Sequence, residues 1–235
     1  MRGLFVTGTD TGVGKTILSA ALLAAMAAAG EHVRAHKPVV TGLDEPPGEW
    51  PPDHELLALM AGMAPEEVAP RRYGPAVSPH RAAARAGARA DPERLVAAAA
   101  SAMRLAEARG ATLIIEGVGG LLVPLADDFT VRDLAVQLGL PLLIAARPGL
   151  GTINHTLLTL HAARAVDLAV TAVVLTPWPT QPAAMERSNR HTIAQLGPVA
   201  VEGLPAVRSS DPVKLAQAGA TLPWPQWVTG PVASD

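Results

Sequence analysis

Residues 4–16 read Leu4-Phe5-Val6-Thr7-Gly8-Thr9-Asp10-Thr11-Gly12-Val13-Gly14-Lys15-Thr16, an apolar run entering a glycine-rich turn that ends in Gly-Lys-Thr, where an alanine-rich stretch begins. Strand, turn and helix in that order describe a site for the phosphates of a nucleoside triphosphate. Successive backbone N–H groups in such a turn form a concave anion site, and the helix N-terminus adds partial positive charge. The lysine reaches the β- and γ-phosphates, and the threonine hydroxyl ligates Mg²⁺. Five residues, Thr9 to Val13, separate Gly8 from Gly14, whereas the usual pattern has four. The context nevertheless predicts a phosphate-binding loop, gripping through Gly12, Val13, Gly14, Lys15, Thr16 and Ile17. The alternative is a glycine turn that only joins strand to helix.

Outward from this loop, apolar strands and helices alternate. The periodicity predicts a strand over Leu4–Thr7, a helix over Thr16–Ala29 stopped by Gly30, and a second strand over His32–His36. Lys37-Pro38-Val39-Val40-Thr41-Gly42 follows, and Pro38 keeps the chain there from turning helical. Residues 43–53 read as a proline-rich, mobile loop, and a helical pattern resumes over Glu55–Ala61. Asp91 is a candidate N-cap, with Pro92 at the first position of a helix. Thr112–Glu116 is a continuous apolar strand ending in a carboxylate, before Gly117-Val118-Gly119-Gly120. Leu140–Ala146 and Leu168–Leu175 are further strands, Val199–Glu202 a short last one, and Asn154–Ala165 and Ala183–Leu196 helices. Nearly unbroken apolar strands alternating with helices indicate an α/β fold: a doubly wound, mostly parallel sheet with helices on both faces. Ligands in such sheets bind at the carboxyl ends of the strands.

Bulk properties narrow the function. The chain has 235 residues, enough for one domain over 1–235 with a full core, the tail from about Leu222 being assigned no structure. No run of about eighteen apolar residues exists to span a bilayer. Met1-Arg2-Gly3 leads at once into the first strand, leaving no room for a signal peptide, and there is no cysteine. The cytoplasm is the expected compartment. A net charge of −2, from 19 Lys+Arg and 21 Asp+Glu, offers no reason to expect a nucleic acid partner.

Phosphoryl transfer asks a protein for positive charge and metal-binding carboxylates around the phosphates. Lys37, just past the second strand, either stabilises charge on the transferred group or is a solvated surface lysine. In a doubly wound order its strand lies next to the one feeding the phosphate loop. Glu116 ends a buried strand, where a charge is expensive without a metal or partner. Mg²⁺ takes one or two carboxylates together with phosphate oxygens and water. Asp53 is a candidate second carboxylate from the loop, in competition with Asp44, Glu45 and Glu49. A second glycine turn, Gly149-Leu150-Gly151-Thr152-Ile153-Asn154, exposes N–H groups suited to a carboxylate, or is a plain strand-to-helix connection. Ser78-Pro79-His80 reads as a turn.

Taken jointly, Thr7–Thr16, Lys37–Gly42, Ser78-Pro79-His80, Glu116–Leu125 and Leu150–Thr156 resemble the dethiobiotin synthetases of biotin synthesis, from residue 4 to about 205, and the five-residue spacing of the loop is that family's form. The resemblance implies a P-loop NTPase-type fold and an ATP-dependent ligase. CO₂ (or bicarbonate) reacts with an amine of 7,8-diaminopelargonate to give a carbamate, the γ-phosphoryl of ATP activates it, and the other amine closes a cyclic urea. By position, Lys15 and Lys37 would stabilise the transferring group, Thr16, Asp53 and Glu116 would hold Mg²⁺, and Thr11 and Thr41 would contact the carbamate end. Gly117, Val118 and Gly119 would adjoin the nucleotide. Leu150, Gly151, Thr152, Ile153 and Asn154 would come from the other subunit of a homodimer to grip the distal carboxylate. One departure is plain: Thr176-Pro177 stands where members often carry Asn-Asp to read adenine. Proline has no N–H and threonine cannot make the two-pronged amide contact. Other nucleoside triphosphates are therefore expected to serve, with Pro205, Ala206 and Val207 sharing base recognition. Partition and division-site ATPases of the same fold carry an extra lysine early in the loop, where this chain has Thr9 and Asp10.

Overall fold

The computed structural model describes residues 1–46 and 48–228. In chain order the elements are β1 (Gly3–Gly8), α1 (Lys15–Ala28), β2 (Val33–His36), α2 (Asp53–Ala61), α3 (Pro65–Val68), α4 (Pro79–Arg85) and α5 (Pro92–Ala108). There follow β3 (Thr112–Gly120), β4 (Pro124–Ala126), β5 (Phe129–Thr130), α6 (Val131–Leu138), β6 (Leu142–Ala146) and α7 (Thr152–Arg164). The last are β7 (Val170–Trp178), α8 (Ala184–Leu196), β8 (Ala200–Pro205), α9 (Pro212–Gly219) and α10 (Trp224–Val228). Six strands form one sheet in the order β2-β3-β1-β6-β7-β8, and every pairing in it is parallel. β4 and β5 make a separate antiparallel hairpin.

Alternation along the strands builds two cores. Leu4, Val6, Ile114, Leu143 and Val174 face α1, α2, α9 and α10, while Phe5, Leu113, Ile115, Ile144 and Val173 face α5, α6, α7 and α8. Each fully buried leucine or isoleucine contributes about 2 kcal/mol by leaving water. Helix α1 is buried almost all round, as its run of alanines and leucines requires. Helix α9 approaches it so closely that a Cβ on Gly219 would fall 2.0 Å from the Ala21 carbonyl oxygen.

Several expectations are corrected. β2 is not beside β1: β3 lies between them, so Lys37 reaches the phosphate loop across the strand that carries Glu116. β3 does not end at Glu116 but runs through the glycines to Gly120, since Gly8 still pairs with Gly120 after a register shift and a backbone ladder needs no side chains. Ser78-Pro79-His80 is the start of α4, with Pro79 in its first turn, rather than only a turn. In the tail, Leu222, Trp224, Trp227 and Val228 pack into the first core. The remainder of the tail, 229–235, lies outside the described residues, as does Pro47 of the proline-rich segment.

His36, ending β2, is 2% exposed, and its Nε2 has no hydrogen-bond partner. Burial pushes the imidazole down from the ordinary 6.5 to about 4. The unfolded chain therefore binds more protons between those values. This contribution to stability is complete above the unfolded value and is lost as pH falls toward the folded one. Urea unfolding is expected to show His36 removing about 2 kcal/mol between about pH 7.5 and about pH 5, and His36→Leu to lessen the drop by that amount. An equal drop in the variant would assign the acid sensitivity to other groups.

Candidate active site

At the carboxyl ends of β1, β2 and β3 opens a cleft of about 650 Å³. Thr11, Gly12, Gly14, Lys15, Thr16 and Ile17 line it from the loop and α1, Lys37 and Thr41 from beyond β2, Asp53 from α2, and Val118 and Gly119 from β3. Gly14 caps α1 at φ 92°, in the left-handed region, and a Cβ there would lie 2.8 Å from Thr176 Cγ2. Both conformation and space thus demand glycine at the turn into the helix. Lys15, first in α1, folds back and donates from Nζ to the Asp10 carbonyl at 2.9 Å.

The centre of the site is an ionic cluster around a buried Lys37–Glu116 pair. Lys37 is 2% exposed and Glu116 is 0% exposed. Lys37 Nζ donates to Glu116 Oε1 at 2.5 Å and lies 2.7 Å from Asp53 Oδ2. Thr16 Oγ1 donates to the same Glu116 Oε1 at 2.9 Å. Asp53 belongs to the first turn of α2, not to the preceding loop; a carboxylate there is favoured by the helix dipole. Lys37 is accordingly no solvated surface lysine. Burial pushes its ammonium down, but Asp53 and Glu116 outweigh that and hold it above the ordinary lysine value. Its two carboxylate neighbours thus favour the charged form. For Lys15 burial dominates and lowers it to about 8, with Glu116 opposing and Lys37 reinforcing. Burial works against the Asp53 carboxylate, yet the Lys37 charge and hydrogen bond hold it below the usual range. The chain has three lysines, Lys15, Lys37 and Lys214. Two of them meet in this cleft.

Glu116 Oε2 is buried and has no hydrogen-bond partner. An orphaned carboxylate oxygen beside a threonine hydroxyl and a second carboxylate is a donor set that fits Mg²⁺ with phosphate oxygens and water completing its shell.

Other expected residues lie elsewhere. Val13 is in the core, and Gly117 packs against Val131 and Phe5, where a Cβ would come within 3.0 and 3.2 Å. Thr176 is buried behind the phosphate loop with its methyl toward Gly14, while Pro177 is exposed. Pro205, Ala206 and Val207 line a separate cleft of about 520 Å³ with Arg208, Ser209 and Lys214. Leu150 is 95% exposed, Gly151 caps α7 at φ 88°, and Thr152, Ile153 and Asn154 open that helix, none of them lining the main cleft. Sequence reasoning missed Arg147, whose Nη2 donates to the carbonyls of Thr11 at 3.2 Å and Gly12 at 3.4 Å. A charged residue immediately after a buried strand was the available signal, the one that singled out Glu116.

A family model described as an AAA domain matches residues 2–212. The chain is 43% identical over 235 residues to the ATP-dependent dethiobiotin synthetase BioD of Mycobacterium sp. (strain KMS), covering 98% of this chain and 99% of that one. It is 41% identical over 203 residues to the protein of that name from Mycobacterium avium (strain 104), covering 85% of each. With that of Anaeromyxobacter sp. (strain K) it shares 46% over 177 residues, 74% of this chain and 76% of the relative. Among solved structures, a ParA family ATPase from Chlorobium tepidum TLS superposes with a TM-score of 0.54 at 14% identity, covering 94% of this chain and 97% of that one. Chloroplast FtsY from Physcomitrella patens gives 0.51 at 14% identity, covering 93% and 64%. These two likenesses concern the doubly wound α/β fold alone, whereas identity above 40% along nearly the whole chain is a closer kinship than fold. The chain belongs to the ATP-dependent dethiobiotin synthetase family.

Proposed function

We propose that residues 1–235 work as one unit, a dethiobiotin synthetase: an ATP-dependent ligase that closes the ureido ring of dethiobiotin from 7,8-diaminopelargonate and CO₂. The observation that carries this reading is the meeting of two buried lysines with Glu116, Thr16 and Asp53 at a phosphate loop. CO₂ adds to one amine, which loses a proton to give a carbamate. The carbamate oxygen takes the γ-phosphoryl group, releasing ADP. The second amine then attacks the carbamoyl carbon, expels phosphate and loses its proton as the ring closes. Lys37 and Lys15 neutralise charge as the phosphoryl group moves, which asks for fixed cations and no covalent help. The loop N–H groups hold the phosphates, and Thr11 and Thr41 orient the carbamate end.

Thr16, Asp53 and Glu116 would hold Mg²⁺, which when bound supplies further positive charge against the phosphates. The exposed Leu150 and the glycine-capped start of α7 suit a homodimer in which Leu150–Asn154 serve the partner's substrate carboxylate. For the base, Thr176 is occupied against Gly14 and Pro177 offers no N–H, so discrimination falls to Pro205–Val207 and is weak, and other nucleoside triphosphates serve. No helix among the described residues is long and apolar enough to cross a membrane, in keeping with work in the cytoplasm.

Phosphate release, measured for ATP, CTP, GTP and UTP at equal concentrations, is expected only when diaminopelargonate, bicarbonate and Mg²⁺ are all present, with rates for the four nucleotides within about tenfold. Rapid hydrolysis without the diamine would instead mark a nucleotide-switched ATPase of the partition type. A strict ATP requirement would mean that the base is read after all.

A further inference from the structure

We propose that Arg147 is a positioning residue for the phosphate loop, and that Asn189 holds in place the segment that carries it; this rests on the reading of the loop as a triphosphate site. After Thr9, whose N–H donates to the Ala145 carbonyl at 3.0 Å, the loop leaves the β1–β6 ladder. It then passes through Gly12 at φ 69° and Gly14 at φ 92°. Glycines reach these angles readily but do not select them, so the loop needs restraint from outside. Arg147, the first residue past β6, supplies it by donating from one Nη to the Thr11 and Gly12 carbonyls. In a trans peptide the carbonyl and the next N–H point in opposite directions. Holding those two oxygens therefore turns the N–H groups of Gly12 and Val13 away from the guanidinium, and Arg147 itself does not line the cleft.

The anchor is itself anchored. Asn189, on α8 and 7% exposed, donates from Nδ2 to the carbonyls of Pro148 at 2.9 Å and Gly149 at 3.2 Å. One buried amide thus pins the two residues that follow Arg147, and through them α8 is tied to the loop. On the neighbouring strand, the Thr176 methyl closes the space behind Gly14. Arg147 acts on the loop backbone from outside the cleft lining. Its effect is to orient the N–H groups before nucleotide arrives, which lowers the ordering cost of binding.

Arg147→Met is expected to raise KM for ATP, and Kd for a non-hydrolysable ATP analogue measured by calorimetry, about five- to tenfold, the loss of a charge-assisted contact to the loop. Because the group acts before binding, kcat should stay within about twofold. Arg147→Lys, which keeps a cationic donor, should recover part of the affinity, and Asn189→Leu should weaken binding about two- to fivefold with Arg147 intact. Unchanged Kd in Arg147→Met overturns the proposal, as does a fall in kcat at constant KM, or an Arg147→Lys variant no better than the methionine. Calorimetry needs no turnover, so a wild-type protein that binds nucleotide without diaminopelargonate-dependent phosphate release would defeat the functional reading and leave this test standing.

Discussion

Lys37→Ala is expected to lower kcat by about 10³-fold or more while nucleotide still binds, since fixed cations at a transferring phosphoryl group contribute on that scale. The geometry explains why the loss should fall on the chemical step. Lys37 stands off the loop, beyond β3, and is held in the cleft wall by Glu116 and Asp53 rather than by the glycine-rich loop. Alanine also strips the buried Glu116 of its cation, and breaking such a pair costs about 3 kcal/mol. The variant must therefore be assayed below its own unfolding transition and compared at matched nucleotide occupancy. Turnover within about tenfold of wild type would place the charge stabilisation on Lys15 alone. An equal collapse of nucleotide binding would make Lys37 a binding residue and not a catalytic one.

Glu116→Gln is expected to raise the Mg²⁺ concentration needed for half-maximal turnover about 10- to 100-fold and to lower the maximal rate, because a neutral amide replaces the carboxylate that fits the metal. The amide keeps the size of the side chain. It also leaves Lys37 its second carboxylate, Asp53, so the fold should survive. The experiment is a Mg²⁺ titration of phosphate release at saturating ATP and diaminopelargonate. An unchanged half-saturation point would mean that Glu116 serves only to hold Lys37, and that its unpartnered Oε2 has no metal to meet.

How much of the site could be read in the chain differs residue by residue. The phosphate loop was legible because its contacts are local: Gly14 and Lys15 sit where β1 turns into α1, and their neighbours in sequence are their neighbours in space. Glu116 was legible for a different reason, as a charge closing an apolar run, which has to meet a partner. Its partner was not legible. Lys37 precedes it by 79 residues, and only the strand order β2-β3-β1 brings the two together. Asp53 was selected by resemblance, with three nearby acids in competition. It is separated from them by its place in the first turn of α2, which aims it at Lys37. Arg147 and Asn189 were missed because both act on backbone carbonyls, and a carbonyl carries no mark of residue type.

The same contrast runs through the fold. Strands buried on both faces announce themselves as unbroken apolar runs, and the α/β class followed from their alternation with helices. The glycine extension of β3, the start of α4 at Pro79 and the packing of Trp224 and Trp227 had no such signal, since each depends on a surface supplied by another part of the chain. The sequence by itself determined that a glycine-rich loop with its lysine and threonine stands at the end of a buried strand, because the three are contiguous and their chemistry is local. Only the tertiary structure decided that the buried Lys37 and Glu116 meet the half-exposed Asp53, and that Arg147 donates to the Thr11 and Gly12 carbonyls. Those contacts join residues from 16 (Lys37 to Asp53) to 136 positions apart, and the sheet order, which no local pattern encodes, sets the distances over which their charges act.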